Sequence, residues 1–135
     1  MSVSRRRRYA RATTTAAAAV LTMLAGAPAG AEGRGGDRAL FLTVSGYGGT
    51  WIRGVQLNCP DTRGSHPHGA AACEALTRSG GDLNRLPEES RPCTKEYDPV
   101  SVTASGTWNG ISVDWQKRFP SPCTLEAATG AVFRF

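Results

Sequence analysis

The chain has 135 residues, of which 16 are basic and 11 acidic, giving a formal net charge of +5; that length supports one hydrophobic core and leaves no room for a second domain. The positive balance lies entirely in Arg5, Arg6, Arg7, Arg8 and Arg11, because removing those five leaves eleven basic residues against eleven acidic ones. A neutral remainder has no electrostatic footprint for nucleic acid or an anionic membrane, so neither partner is expected.

In chain order, the arginines form a basic n-region, Ala16 to Leu24 is an apolar run too short to span a bilayer comfortably, and Ala25 to Ala31 are small residues and a proline. This pattern predicts a secretory signal peptide over residues 1–31, cut after Ala31 or after Ala29, and a secreted, extracellular product. The arginine run also fits twin-arginine export. Residues 32–38 are Gly-rich and charged and predict a disordered tail, leaving residues 39–135 as the folded domain.

Order is expected to begin with Ala39-Leu40-Phe41-Leu42-Thr43-Val44, a β-prone run. Gly46, Gly48 and Gly49 turn the chain into a second strand, Trp51 to Cys59, with alternating Val55, Leu57 and Cys59; the two runs should pair as a hairpin. Pro60 to Gly69 reads as a loop. Ala70 to Arg78 is rich in helix formers and is stopped by Gly80-Gly81. Asp82 to Pro87 carries no strong periodicity and should cross the surface.

The stretch that organises the rest follows: Arg91-Pro92-Cys93-Thr94-Lys95-Glu96-Tyr97-Asp98-Pro99. Pro92 and Pro99 fix φ and remove amide donors, so this segment resists both helix and central strand and stays extended. A disulfide at Cys93 would bolt it to the body in an exported chain. A stiff, tethered, extended segment presenting one long basic side chain, Lys95, is what a protease cleft reads as substrate, and ordering it beforehand lowers the entropic cost of binding.

Beyond it, Val100 to Trp108 and Ile111 to Phe119 flank Asn109-Gly110, a strong hairpin signal. The return strand places Ile111, Val113, Trp115, Lys117 and Phe119 on one face and ends at Pro120 and Pro122. Thr124 to Thr129 predicts a short helical turn, and Ala131 to Phe135 a closing strand. Five strands with one or two short helices make an antiparallel α+β domain.

All four cysteines, Cys59, Cys73, Cys93 and Cys123, lie beyond the leader, and an even count in an exported chain argues for two disulfides. Spacing leaves three connectivities open, of which the sequence-local pairs are the simplest. His66 and His68 between the first two cysteines invite a zinc reading, but the spacing lacks the close Cys pairs of structural zinc sites, so no metal or cofactor is expected. An enzyme is disfavoured: no nucleophile motif accompanies His66 and no paired carboxylates have a recognisable setting. Trp51, Trp108, Trp115 and Phe119 suit core or dimer packing better than a ligand platform. The rival to a protease-directed function is a secreted carbohydrate- or cell-wall-binding module.

The ordered series Leu42-Thr43-Val44, Cys59-Pro60, Gly64-Ser65-His66-Pro67, Ala72-Cys73, Gly80-Gly81-Asp82-Leu83-Asn84, Cys93, Tyr97-Asp98-Pro99-Val100, Trp108 between Gly106 and Gly110, Cys123 and Val132-Phe133-Arg134-Phe135 resembles the Streptomyces subtilisin inhibitor family of secreted serine protease inhibitors. The likeness covers essentially the whole chain beyond the leader. It implies a five-stranded antiparallel sheet with two helices, the sequence-local disulfides, a homodimer, and inhibition of subtilisin-like serine proteases by substrate mimicry. Aligned on Cys93 and Tyr97-Asp98-Pro99, it puts the reactive bond between Lys95 and Glu96, with Lys95 in the specificity pocket and a trypsin-like target thereby added. Cys93 and Thr94 would line the non-primed side of the cleft as an added strand, and Glu96 and Tyr97 would contact the primed side, with Asp98 also in the contact loop. Thr94 stands where proline is common, and the first disulfide loop is one residue short near Pro60-Asp61.

Overall fold

The computed structural model describes residues 37–60 and 63–135. The expected signal peptide and residues 32–36 of the expected tail fall outside the described residues. Strand β1 (Arg38–Ser45) starts one residue before the predicted run, so Arg38, assigned to the tail from sequence, is already in the sheet opposite Trp108.

Strand β2 (Ile52–Asn58) returns against β1, as the hairpin pattern predicts. The second hairpin, β3 (Val100–Trp108) and β4 (Ile111–Phe119), turns at Asn109 and Gly110, whose φ angles of 50° and 77° match the right-handed strand twist. The sheet order is β2-β1-β3-β4, antiparallel throughout. Because strand side chains alternate, register fixes two faces. Leu40, Leu42 and Val44 on β1, Val55 and Leu57 on β2, Val100, Val102 and Ala104 on β3, and Phe119 on β4 are buried together.

Helix α1 (Gly69–Arg78) and helix α2 (Pro122–Thr129) cover that face, contributing Ala72, Ala75, Leu76 and Leu125 to the core. Helix α1 stops where expected: Gly80 and Gly81 take positive φ, and the Gly81 amide donates to the Leu76 carbonyl at 2.8 Å, a left-handed exit that closes the last turn. Helix α2 begins two residues before the predicted turn, because Pro122 suits a first helical position and Ser121 and Thr124 exchange side-chain-to-backbone bonds in a capping box. The 82–87 segment holds a 3-10 turn, Leu83–Arg85, and buries Leu83 and Leu86.

The expected fifth strand is a correction. Gly130–Phe133 is a 3-10 turn, and the sheet has four strands among the described residues. Val132 and Phe133 are both buried although adjacent, which a strand with one buried face does not allow. The Val132 carbonyl is taken by the His66 ring at 2.9 Å, and the Arg134 amide donates back to Ala131. The apolar run therefore serves as a plug between α1 and the sheet.

The opposite face of the sheet carries no layer from the described chain. Phe41 and Ile52 are 47% and 70% exposed there, and the Thr43 and Thr103 hydroxyls meet across β1 and β3 at 2.6 Å.

Candidate functional site

The segment between Pro87 and Val100 contains neither helix nor strand, in keeping with its prolines, yet both of its ends are fixed. Upstream, the Glu89 amide donates to the Ala127 carbonyl of α2 at 2.8 Å. Arg91 ion-pairs with Glu126, also on α2. Cys93 is bonded to Cys123 in the first turn of α2, with Cα atoms 5.8 Å apart. Downstream, the Asp98 amide donates to the Pro120 carbonyl at 2.9 Å. Pro99 is buried and Val100 enters β3 opposite Phe119.

Between these anchors Thr94, Lys95, Glu96 and Tyr97 are exposed, Tyr97 to 72%. The four exposed residues are thus carried on a short arch whose feet stand on α2 and on the β4–α2 connection. Fixing both feet removes conformational entropy from the arch before anything binds. The predicted site residues Cys93, Thr94, Lys95, Glu96, Tyr97 and Asp98 all lie on it. The anchors at Glu89, Pro120, Glu126 and Ala127 were not legible from sequence, because the Arg91–Glu126 pair, for instance, spans 35 residues and no local pattern marks it.

The other residues weighed as functional have structural employment. Cys59 and Cys73 are joined, with Cα atoms 5.5 Å apart, and are buried. His66 is buried, with Nε2 at 2.9 Å from the Val132 carbonyl and Nδ1 accepting from the His68 amide at 3.0 Å. Burial lowers its pKa below the ordinary value, with the Val132 bond opposing, so the neutral Nε2–H tautomer suits both bonds. Trp108 and Phe119 are in the core, and Trp115 donates to Asn84 Oδ1 at 3.0 Å and lies 5.8 Å from the Phe133 ring. Trp51 is partly exposed under the Arg53 guanidinium, so the aromatic residues form no common platform.

Comparisons with known proteins agree with one another on the family. The family model described as subtilisin inhibitor-like matches residues 37–121. A subtilase-type protease inhibitor of Streptomyces fradiae is 40% identical over 121 residues, covering 80% of this chain and 85% of that protein. A protease inhibitor of Streptomyces netropsis, SIL-V1/SIL-V4, is 41% identical over 104 residues, covering 72% and 94%. Among solved structures, Streptomyces caespitosus sermetstatin in complex with Bacillus licheniformis subtilisin is 36% identical with a TM-score of 0.56, covering 72% of this chain and 96% of that one. The two-bridge α+β domain with its doubly anchored arch therefore belongs to the subtilisin inhibitor-like family, a family of protease inhibitors rather than of enzymes.

Proposed function

We propose that the chain is a secreted inhibitor of serine endopeptidases that offers residues 93–98 to the protease cleft, with Lys95–Glu96 as the reactive bond. The observation that carries this reading is the exposed four-residue arch held at both feet in a chain whose relatives are protease inhibitors. Cys93 and Thr94 would add a strand to the non-primed side, Lys95 would fill the specificity pocket, and Glu96, Tyr97 and Asp98 would lie along the primed side. A subtilisin-like cleft accepts the lysine stem, and a trypsin-like one adds a carboxylate partner for its ammonium.

Inhibition follows from the anchors. When the protease serine attacks the Lys95 carbonyl, the bond to the Glu96 nitrogen breaks and an acyl-enzyme ester forms. The freed Glu96 amine stays in place, because Asp98 is held to Pro120 and Pro99 is buried. It attacks the ester and re-forms the peptide bond faster than water enters, a proximity effect of the kind that raises effective molarity.

The reading includes export through the residue 1–31 leader and a homodimer formed through the open sheet face. Phe41 and Ile52 lie on that face, where a two-fold contact would bury them, and the arch is tethered to α2 on the opposite side. Titration of subtilisin with the purified protein tests the function: stoichiometric loss of activity is expected. Undiminished protease activity together with retention on polysaccharide would favour a carbohydrate-binding module instead.

A further inference from the structure

The geometry points to a closed ring of four alternating charges, Glu89, Arg91, Glu126 and Arg134, as the device that sets the direction of the non-primed arm of the arch. This deepens the reading of Lys95–Glu96 as the reactive bond and rests on it.

The ring is made of four contacts. Arg91 Nη1 donates to Glu126 Oε2. That same oxygen lies 3.8 Å from Arg134 Nε. Arg134 Nη2 donates to Glu89 Oε2 at 2.9 Å, and Glu89 Oε2 lies 3.7 Å from Arg91 Nη2. Each charge has an opposite charge on both sides, and the ring is neutral. It joins three stretches distant in sequence: the arm leading to the arch, helix α2, and the C-terminus.

Isolated exposed ion pairs contribute little, but these side chains are only about a third exposed, 32–43%, and networks couple where single pairs do not. Arg134 Nε is itself buried without a hydrogen-bond partner. A buried cationic N–H is costly unless neighbouring charges compensate, and here those neighbours are the ring carboxylates.

Mechanically, the ring does more than decorate the surface. The Cys93–Cys123 bridge fixes one point of the arm, and a single tether leaves a pivot. Arg91 stands two residues upstream and binds the same helix, so the two tethers together define a direction rather than a point. The backbone bond from Glu89 to Ala127 sets the third point on that line. The ring then decides how squarely Thr94 and Lys95 approach a cleft, and Arg91, Glu126 and Arg134 act as positioning residues.

The test uses the full exported protein and the variants R91M, E126Q, R134M and R91M/R134M. Backbone amide order parameters for Thr94, Lys95, Glu96 and Tyr97 are measured in the free protein, and subtilisin inhibition and the rate of cleavage at Lys95–Glu96 are measured beside them. Each single variant is expected to lower the order parameters, weaken inhibition about tenfold, equivalent to about 1.4 kcal/mol, and speed cleavage, with near-ultraviolet circular dichroism unchanged. Arg91 and Arg134 share both carboxylates, so the double variant should lose less than the product of the single losses. Should R91M fold poorly, R91K keeps the charge and should give an intermediate loss. Order parameters unchanged in all variants would overturn the proposal, as would an effect confined to R91M, which would mean that Arg91 touches the protease directly. The order parameters decide the ring even if the cleaved bond proves to be another one.

Discussion

The two disulfides tie loops to helices in the same way and leave those loops in opposite states. Cys59–Cys73 joins the end of β2 to α1, and the described part of the loop it closes is bonded back to its own chain: the Ser65 amide donates to the Gln56 carbonyl, the Ser65 hydroxyl accepts from the Gln56 amide, and both ring nitrogens of His66 are engaged. Cys93–Cys123 ties the 93–98 arch to α2, and between its feet four residues face solvent. A loop whose groups are bonded within the chain has fewer of them to offer a partner. One whose feet are fixed and whose crown is bare is organised for a surface that is not its own.

The largest effect expected from this contrast comes from removing each bridge in turn. Replacing Cys93 and Cys123 by serine should convert an inhibitor into a substrate, with at least about a hundredfold weaker inhibition, because the acyl-enzyme loses the fixed arm that favours resealing. Replacing Cys59 and Cys73 should destabilise the fold by about 3 kcal/mol while the folded fraction inhibits normally. Denaturant melts should show both pairs destabilised, the Cys93–Cys123 pair no less because it closes the longer loop. Protease titrations should show weakened inhibition for the Cys93–Cys123 pair alone; equal loss of inhibition from the two bridges would remove the distinction.

Next in size is Lys95→Met, which keeps the apolar stem and deletes the charge. Losing a desolvated charge pair costs about 2–5 kcal/mol, roughly 30-fold to several thousand-fold in affinity. Inhibition of trypsin should fall by that factor while inhibition of subtilisin changes little. Equal loss against both would mean that the arch was disrupted, and no loss against either would place another residue in the pocket.

The sequence carried the parts of this contrast that depend on local chemistry. Pro92 and Pro99 announced an irregular extended segment, Asn109-Gly110 a hairpin, and Gly80-Gly81 a helix end, each for a steric reason that acts within a few residues. It did not carry the fate of Ala131 to Phe135. That run has the composition of a strand, but His66 and the core claim its backbone and both adjacent side chains, and tertiary demand overrides β-propensity. The Cys93 foot of the arch was expected, but its non-covalent anchors were invisible for a similar reason, since Glu89 meets Arg134 across 45 residues.

A smaller effect probes the satisfied loop. A Cβ on Gly64 would lie 2.2 Å from the Gln56 carbonyl oxygen, so Gly64→Ala must push the loop off β2, at about 1–3 kcal/mol of stability. Its inhibition constant should stay that of the unaltered protein; a matching loss of inhibition would show that the two loops are mechanically linked.

The smallest effect is a pH dependence. The His66 pKa is lowered in the folded protein, so below the ordinary value near 6.5 the unfolded chain binds a proton that the folded one resists. The contribution of neutral His66 is therefore complete above about pH 6.5 and is lost as pH falls from there toward the lowered folded value. Urea midpoints between pH 7.5 and 5.5 should decline, and the decline should shrink in His66→Gln.

Whether Lys95–Glu96 is the reactive bond is decided by the site of slow cleavage. The protein is incubated with a catalytic amount of subtilisin, and the products are followed by intact mass and N-terminal sequencing with the disulfides in place. A single new N-terminus at Glu96 is expected, appearing slowly and stopping short of completion while inhibition persists. Rapid and complete cleavage, or a first cut at any bond other than Lys95–Glu96, would contradict it.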